Sequence, residues 1–445
     1  MRARAFAAFA VLAFAFWPAS LEAQQRERFL GQPGLLFTNV TLIDGRGGPA
    51  RPNSSVLVWD GIIQAVGPTG EILITEGTTV VDLDGLVMVP GFIDVHASAS
   101  DSADLVDMLV AGITTIRRPG VSQPAYEAEG SEVPKADFYP EIFSSGPALD
   151  AKGQGAMAGL VATSEAETRQ EIEGLLDEGV DFIALSPGFP VALAEAAVEA
   201  VRNRGRVVWG DPRSTDWIAA ARVGIDGLSG LLSGDPELLS VDAREEYVRA
   251  LAANPAAAIA VWLDGVDPQG AEVDRMIGAL LARDVTVAPL LASSDPLRCA
   301  SRGPQAGSPC ESWPDSLRAV AREAWPSAIE LLRLLHRDGV RLVIGSVSPD
   351  ASLPGAGFHR EMELLVAAGI PPRDVIRMAT RNAAAALGIL HDRGTIEAGK
   401  RADMIVLRAD PLADIENLRQ VEFTLIDGRA FGRNSEGRLG RLEFR

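Results

Sequence analysis

The chain has 445 residues, 47% of them hydrophobic and 23% charged, with a mean hydropathy of +0.12. That is the composition of a globular protein able to bury a large core. Sixty acidic against 41 basic side chains give a net charge of −19. So acidic a chain repels phosphate backbones and anionic lipid, so neither nucleic acid nor a membrane surface is an expected partner.

Met1-Arg2-Ala3-Arg4 precedes an apolar run from Ala5 to Trp17, and Leu21-Glu22-Ala23-Gln24 follows. A basic start, a short apolar stretch and a small residue at the cut read as a secretory signal peptide over residues 1–23. The alternative is a retained anchor, but the run is shorter than the roughly 20 residues that span a bilayer. The expectation is an exported protein, periplasmic or secreted, free of the membrane once the signal is removed. Cys299 and Cys310 bracket a loop rich in Gly, Pro and Ser. In an oxidising compartment that pair is expected to form a disulfide.

Residues 35–83 read as short strands: Leu35–Ile43, Ser55–Trp59, Ile62–Val66 and Thr79–Leu83. Asp60-Gly61 marks a hairpin between the second and third. From Val87 the pattern changes to alternating strand and helix. Strands are predicted at Val87–His96, Ile113–Arg117, Glu141–Ser145, Asp181–Leu185, Arg206–Trp209, Ile225–Leu228, Val285–Leu291 and Val340–Ile344. Helices are predicted at Ser164–Gly179, Ala192–Arg204, Arg244–Ala253 and Ser316–Asp338, the last with Leu317, Val320, Ala324, Ile329 and Leu332 at helical spacing.

Eight strands separated by helices point to a (β/α)₈ TIM barrel. Ala258–Leu263 is an extra strand-like run that this count leaves over. A helix pair, Pro372–Ala379 and Asn382–Leu387, leads back to strands at Met404–Leu407 and Val421–Ile426. The simplest packing joins the two β-rich ends, 30–87 and 390–431, in one composite β-sandwich beside a barrel formed by 88–389.

Four blocks in this order carry a resemblance. They are Val89-Pro90-Gly91-Phe92-Ile93-Asp94-Val95-His96, Gly112-Ile113-Thr114-Thr115-Ile116-Arg117, Ala379-Thr380-Arg381-Asn382-Ala383-Ala384-Ala385-Ala386-Leu387-Gly388, and Gly394-Thr395-Ile396-Glu397-Ala398-Gly399-Lys400-Arg401-Ala402-Asp403-Met404. Together they resemble the amidohydrolase superfamily, in particular its imidazolonepropionase and prolidase-like branches. The resemblance implies metal-assisted hydrolysis of C–N bonds in amides, cyclic amides and peptides, with one or two divalent metals such as zinc activating a bound water. It also implies two histidines after the first barrel strand, a lysine or carboxylate on the fourth, histidines closing the fifth and sixth, and an aspartate after the eighth.

This chain departs from that pattern. Only His96 stands where a ligand is expected. Ser98, Ala184, Gly210, Gly230 and Val347 occupy the other five positions, and four of these five side chains carry no donor atom. Realignment does not rescue the site, because no histidine occurs between residues 97 and 335. His336, His359 and His391 fall in helical or turn segments away from the expected ligands. No catalytic residue and no cofactor is therefore assigned. Asp94 reads as structural.

Arg118 stands where the family usually has an acidic residue. With Arg117 it could offer a guanidinium to an anionic ligand, or it could simply pair with Asp94 or Asp211. His96, Arg117, Arg118, Trp209 and Asp211 are therefore the expected surroundings of a cleft suited to a small polar or anionic ligand. The serines near the lost ligands lack a base and are weak nucleophiles. The expectation is an exported, non-catalytic binding protein, or the partner of an active relative or of a second copy. The alternative is an active hydrolase of C–N bonds that uses an unrecognised site.

Overall fold

The computed structural model describes residues 34–99, 101–120, 138–151, 159–186, 188–202, 204–210, 216–231, 235–253, 255–294, 315–346, 355–433 and 439–444. Residues 1–23, expected to be a signal segment, and Cys299, Cys310, Asp211 and Val347 lie outside the described residues.

In chain order the first strands are β1 (Leu35–Leu42), β2 (Arg51–Trp59), β3 (Ile62–Pro68), β4 (Thr79–Asp82) and β5 (Val87–Pro90). Strands and helices then alternate: β6 (Phe92–Asp94), α1 (Ser102–Val110), β7 (Ile113–Arg118), β8 (Glu141–Ser144), β9 (Leu149–Asp150), β10 (Leu160–Val161), α2 (Glu165–Asp177), β11 (Phe182–Leu185), α3 (Val191–Arg202), β12 (Val207–Gly210), α4 (Trp217–Val223) and β13 (Gly227–Ser229). After these come α5 (Val241–Ala253), α6 (Pro255–Gly265), α7 (Ala271–Ala282), β14 (Thr286–Ala288), α8 (Asp315–Arg337), β15 (Arg341–Leu342), α9 (Ala356–Ala367), α10 (Pro372–Arg377) and α11 (Ala383–Ala386). The chain ends with β16 (Met404–Leu407), β17 (Val421–Ile426), β18 (Arg429–Arg433) and β19 (Leu439–Arg441).

All eight alternating strands read from the sequence are present, most of them shorter than expected. Ala258–Leu263 is not a strand but lies within α6. An unbroken apolar run does not distinguish strand from helix by periodicity. Here Pro255 in the first turn and four alanines favour the helix. The two helices expected after Pro372 are joined by Met378–Asn382, a wider helical turn.

Strands from the two ends of the chain share one nine-stranded sheet, ordered β19-β18-β17-β16-β5-β1-β2-β3, with β4 pairing β1. One sheet curling over its own core, rather than two separately paired sheets, encloses this part of the protein. β1 and β17 are three strand spacings apart, about 14 Å in a flat sheet, yet the rings of Phe37 and Phe423 are 6.3 Å apart. The β3 edge closes on the segment before β16, where Ile63 N donates to Lys400 O and Gly399 N to Ile63 O, each at 2.8 Å.

The parallel strands form a seven-stranded sheet, β10-β9-β11-β12-β13-β14-β15, and a three-stranded one, β6-β7-β8. Their ladders do not run unbroken round a cylinder. Single backbone bonds span the two gaps: Val95 N to Ile344 O at 3.0 Å and Asp181 N to Ser144 O at 2.9 Å. Among the described residues β8 pairs only with β7, and β15 has two residues, so neither gap carries a full ladder.

A buried charge cluster joins the parallel sheets to the nine-stranded sheet. Arg393, with its side chain 3% exposed, donates to Thr115 Oγ1 at 3.0 Å, Glu141 Oε2 at 2.7 Å and Asp392 Oδ2 at 2.8 Å. It lies 3.5 Å from Asp403. Arg401 extends the cluster to Glu141 and Asp427. Removing one partner of a buried pair strands the others without a counter-charge. Arg393→Met should therefore lower unfolding free energy by about 3 kcal/mol in urea titrations. Arg169→Met, at an exposed helix pair, should leave the urea midpoint unchanged.

Candidate functional site

Strand side chains alternate between faces. β11 therefore turns Phe182 and Ala184 to one side, where they pack with Ile93 and Val95, Trp209 of β12, Ala288 of β14 and Val343. This apolar cluster fills the space that the parallel strands surround.

Arg117 of β7 enters the same space and is 1% exposed. Its guanidinium carbon sits 4.1 Å from the Trp209 ring and 4.6 Å from the Phe182 ring. Nε donates to Val95 O, and Nη2 to Ser229 Oγ at 3.3 Å. Burial pushes its pKa down to about 9, opposed by the charge of Asp94.

Trp209 needs room, and β13 supplies it. Trp209 and Gly227 are register partners in neighbouring strands. A Cβ on Gly227 would lie 2.4 Å from the indole. The indole therefore rests on bare backbone on one side and stacks with Arg117.

Asp94 is fully buried at the end of β6. Its carboxylate accepts from His96 N at 3.0 Å, Ser346 N at 2.9 Å and Ser346 Oγ. It thus ties the first parallel strand to the segment after the last. Burial raises its pKa to about 6 against the pull of these donors and of Arg117. A structural role for Asp94 fits these contacts.

Two of the side chains expected to line a cleft are instead interior. Arg117 and Trp209 are buried against each other, so neither is presented to a ligand from solvent. Stacking on two rings and donation to a backbone carbonyl hold the guanidinium inside. Arg118 is 7% exposed, and its Nη2 donates to Ala99 O at 2.7 Å. It therefore folds back on the segment after β6. His96 is half-buried beside Asp94.

Sequence reasoning did not find Phe182, Ser229 or Gly227. The glycines in Gly224-Ile225-Asp226-Gly227-Leu228-Ser229-Gly230, one strand along from a tryptophan, were the available signal.

The positions at which the resemblance implies metal ligands can be tested for fit. Ala184 is buried in the apolar cluster. Ser98 is exposed. Gly230 has φ of 105°, a left-handed backbone that a histidine would adopt only under strain. Around Gly210 there is space, the nearest atoms to a Cβ being Ile225 Cδ1 and Leu228 Cδ2 at 3.8 Å. Among the described residues no three His, Cys, Asp or Glu side chains group to hold a metal. One imidazole set among glycine, alanine and an exposed hydroxyl does not fit zinc.

The segments after β12 and β13 are tied together by a buried carboxylate. Asp235 accepts from Trp217 N at 2.9 Å and Glu237 N at 2.8 Å. Asp216 beside it caps α4 through Ile218 N and Ala219 N. Burial first, then Asp216 and Glu237, push Asp235 up to about 7.

Comparison with known proteins adds the following. The amidohydrolase family model matches residues 302–431. An imidazolonepropionase of Pseudomonas entomophila (strain L48) is 23% identical over 389 residues, covering 82% of this chain and 89% of the relative. Among solved structures, a bottromycin amidohydrolase superposes with a TM-score of 0.67 at 22% identity, over 90% of this chain and 88% of that one. A Xaa-Pro dipeptidase with methionine bound in its active site gives 0.66 at 18% identity, over 89% and 98%.

Two outcomes are expected. Gly227→Ala should destabilise the fold by about 2 kcal/mol, because the added methyl overpacks the indole. The loss should shrink by more than about 1 kcal/mol in a Trp209→Leu background, read by a double-mutant urea cycle. The second concerns pH. Between the unfolded value of 3.8 and about 7 the folded Asp235 retains a proton that the unfolded chain has released, so stability falls as pH rises through that window. Urea midpoints at pH 5 and pH 7 should differ less in Asp235→Asn than in the parent.

Proposed function

We propose that the chain belongs to the amidohydrolase superfamily, on its imidazolonepropionase-like side, and that it is an exported member without metal-dependent hydrolytic activity. It would act as a binding protein or as the partner of an active relative or of a second copy. The observation that carries this reading is the donor set: alanine in an apolar cluster at 184, glycine at 210, left-handed glycine at 230 and an exposed serine at 98. Val347 would also leave the reaction without the carboxylate that serves as base.

The order of the parallel strands and the single bonds across both gaps support a (β/α)₈ barrel as the framework. The basic-then-apolar N-terminal pattern supports export. A Cys299–Cys310 disulfide is part of the same proposal. Any ligand at the strand ends would be small and polar or anionic, met by the half-buried His96 rather than by the interior Arg117 and Trp209.

The second reading, hydrolysis of amide or cyclic amide C–N bonds through another site, is favoured by the similarity to an imidazolonepropionase and a Xaa-Pro dipeptidase. Elemental analysis of protein purified without chelator, paired with a lactam and Xaa-Pro dipeptide hydrolysis screen, separates the two. The expected result is substoichiometric metal and no turnover. Ser98→His alone should not restore either, because the other positions still lack donors. About one equivalent of zinc, manganese or nickel released by His96→Ala, or chelator-sensitive turnover, would refute the proposal.

A further inference from the structure

Three arginines converge on an open cavity of about 320 Å³ between α4 and α7, lined by Ile218, Arg222, Arg275, Ala279, Ala282 and Arg283. On α4, Ile218 and Arg222 are four residues apart. On α7, Arg275 and Ala279 are four apart, and Ala282 and Arg283 follow one turn later. Each helix therefore presents a single stripe to the trough. The two alanines keep the trough open, Ile218 adds an apolar wall, and the three arginines complete its lining.

Arg275 pairs with Glu272 on its own helix. The guanidinium groups of Arg222 and Arg283 have no hydrogen-bond or ion-pair partner among the described residues. Both sit at helix C-termini, where the dipole favours a cation. That accounts for each singly, but not for their convergence with Arg275 on a protein of net charge −19.

We propose that this trough is a binding site for a small organic anion, one carrying a carboxylate or phosphate on a compact apolar body. Guanidinium forks match the oxygens of both groups, and the Ile218–Ala279–Ala282 wall suits the apolar body. The volume lies at the low end for small-molecule pockets, about 300–1,000 Å³. The net negative charge disfavours a polyanion in its place. The site lies on the outer helices and does not depend on the reading of the strand-end site.

Calorimetric titration at low ionic strength tests it, with phenyl phosphate, phenylacetate and inorganic phosphate as probes. Phenyl phosphate or phenylacetate should bind saturably, at least about tenfold more tightly than inorganic phosphate. Comparison of the two aryl probes distinguishes phosphate from carboxylate as the preferred group. The double variant Arg222→Gln/Arg283→Gln alters exposed side chains, so its thermal melt should match the parent while affinity falls about tenfold or more. Ala279→Phe fills the trough and keeps every charge, and should also weaken the aryl probes. Absence of saturation up to about 10 mM, equal affinity for aryl and inorganic probes, or binding untouched by both variants would overturn the assignment.

Discussion

A guanidinium placed out of reach of water must find all its compensation in the protein, and Arg117 sets that demand at the centre of this molecule. Its charge is met by the faces of Trp209 and Phe182, by Val95 O and Ser229 Oγ, and by Asp94 nearby. The partners come from the end of β6 and from β11, β12 and β13. Fixing the guanidinium therefore fixes the spacing of β6, β7, β11, β12 and β13. The indole that stacks on it leaves no room for a Cβ at Gly227, so one buried charge shapes the next strand as well.

Asp94 completes the arrangement at the level of the chain. It joins residues 252 positions apart through Ser346 and stands near enough to Arg117 for each to favour the other's charged form. The same logic recurs at the junction with the nine-stranded sheet. There Arg393 holds Thr115, Glu141, Asp392 and Asp403 around one buried cation. Buried cations paired with carboxylates and carbonyls thus organise both halves of the protein. Near the strand ends, the positions at which the resemblance implies metal ligands hold glycine, alanine and serine instead.

The alternation of strands and helices was legible because turn residues and apolar periodicity are local. The strand at Phe182–Leu185 and the helix at Glu165–Asp177 follow from their own residues. The run Ala258–Leu263 was misread because its apolar continuity says nothing about period; Pro255 and the alanines favour the helix, and its packing on α5 and α8 completes it. The lack of donors at the positions where the resemblance implies metal ligands was legible for another reason: a glycine or an alanine side chain cannot donate, whatever surrounds it.

The orientation of the arginines was not legible. Arg117 and Arg118 are adjacent and chemically alike, yet one enters the space between the strands while the other turns back to Ala99 O. The trough between α4 and α7 likewise joins residues from two helices about 50 positions apart in the chain. The sequence by itself determined which chemistry the strand ends lack, because composition at a position limits what atoms can be there. Only the tertiary structure decided which charges are interior and which converge at the surface, because strand register and helix packing bring distant residues together.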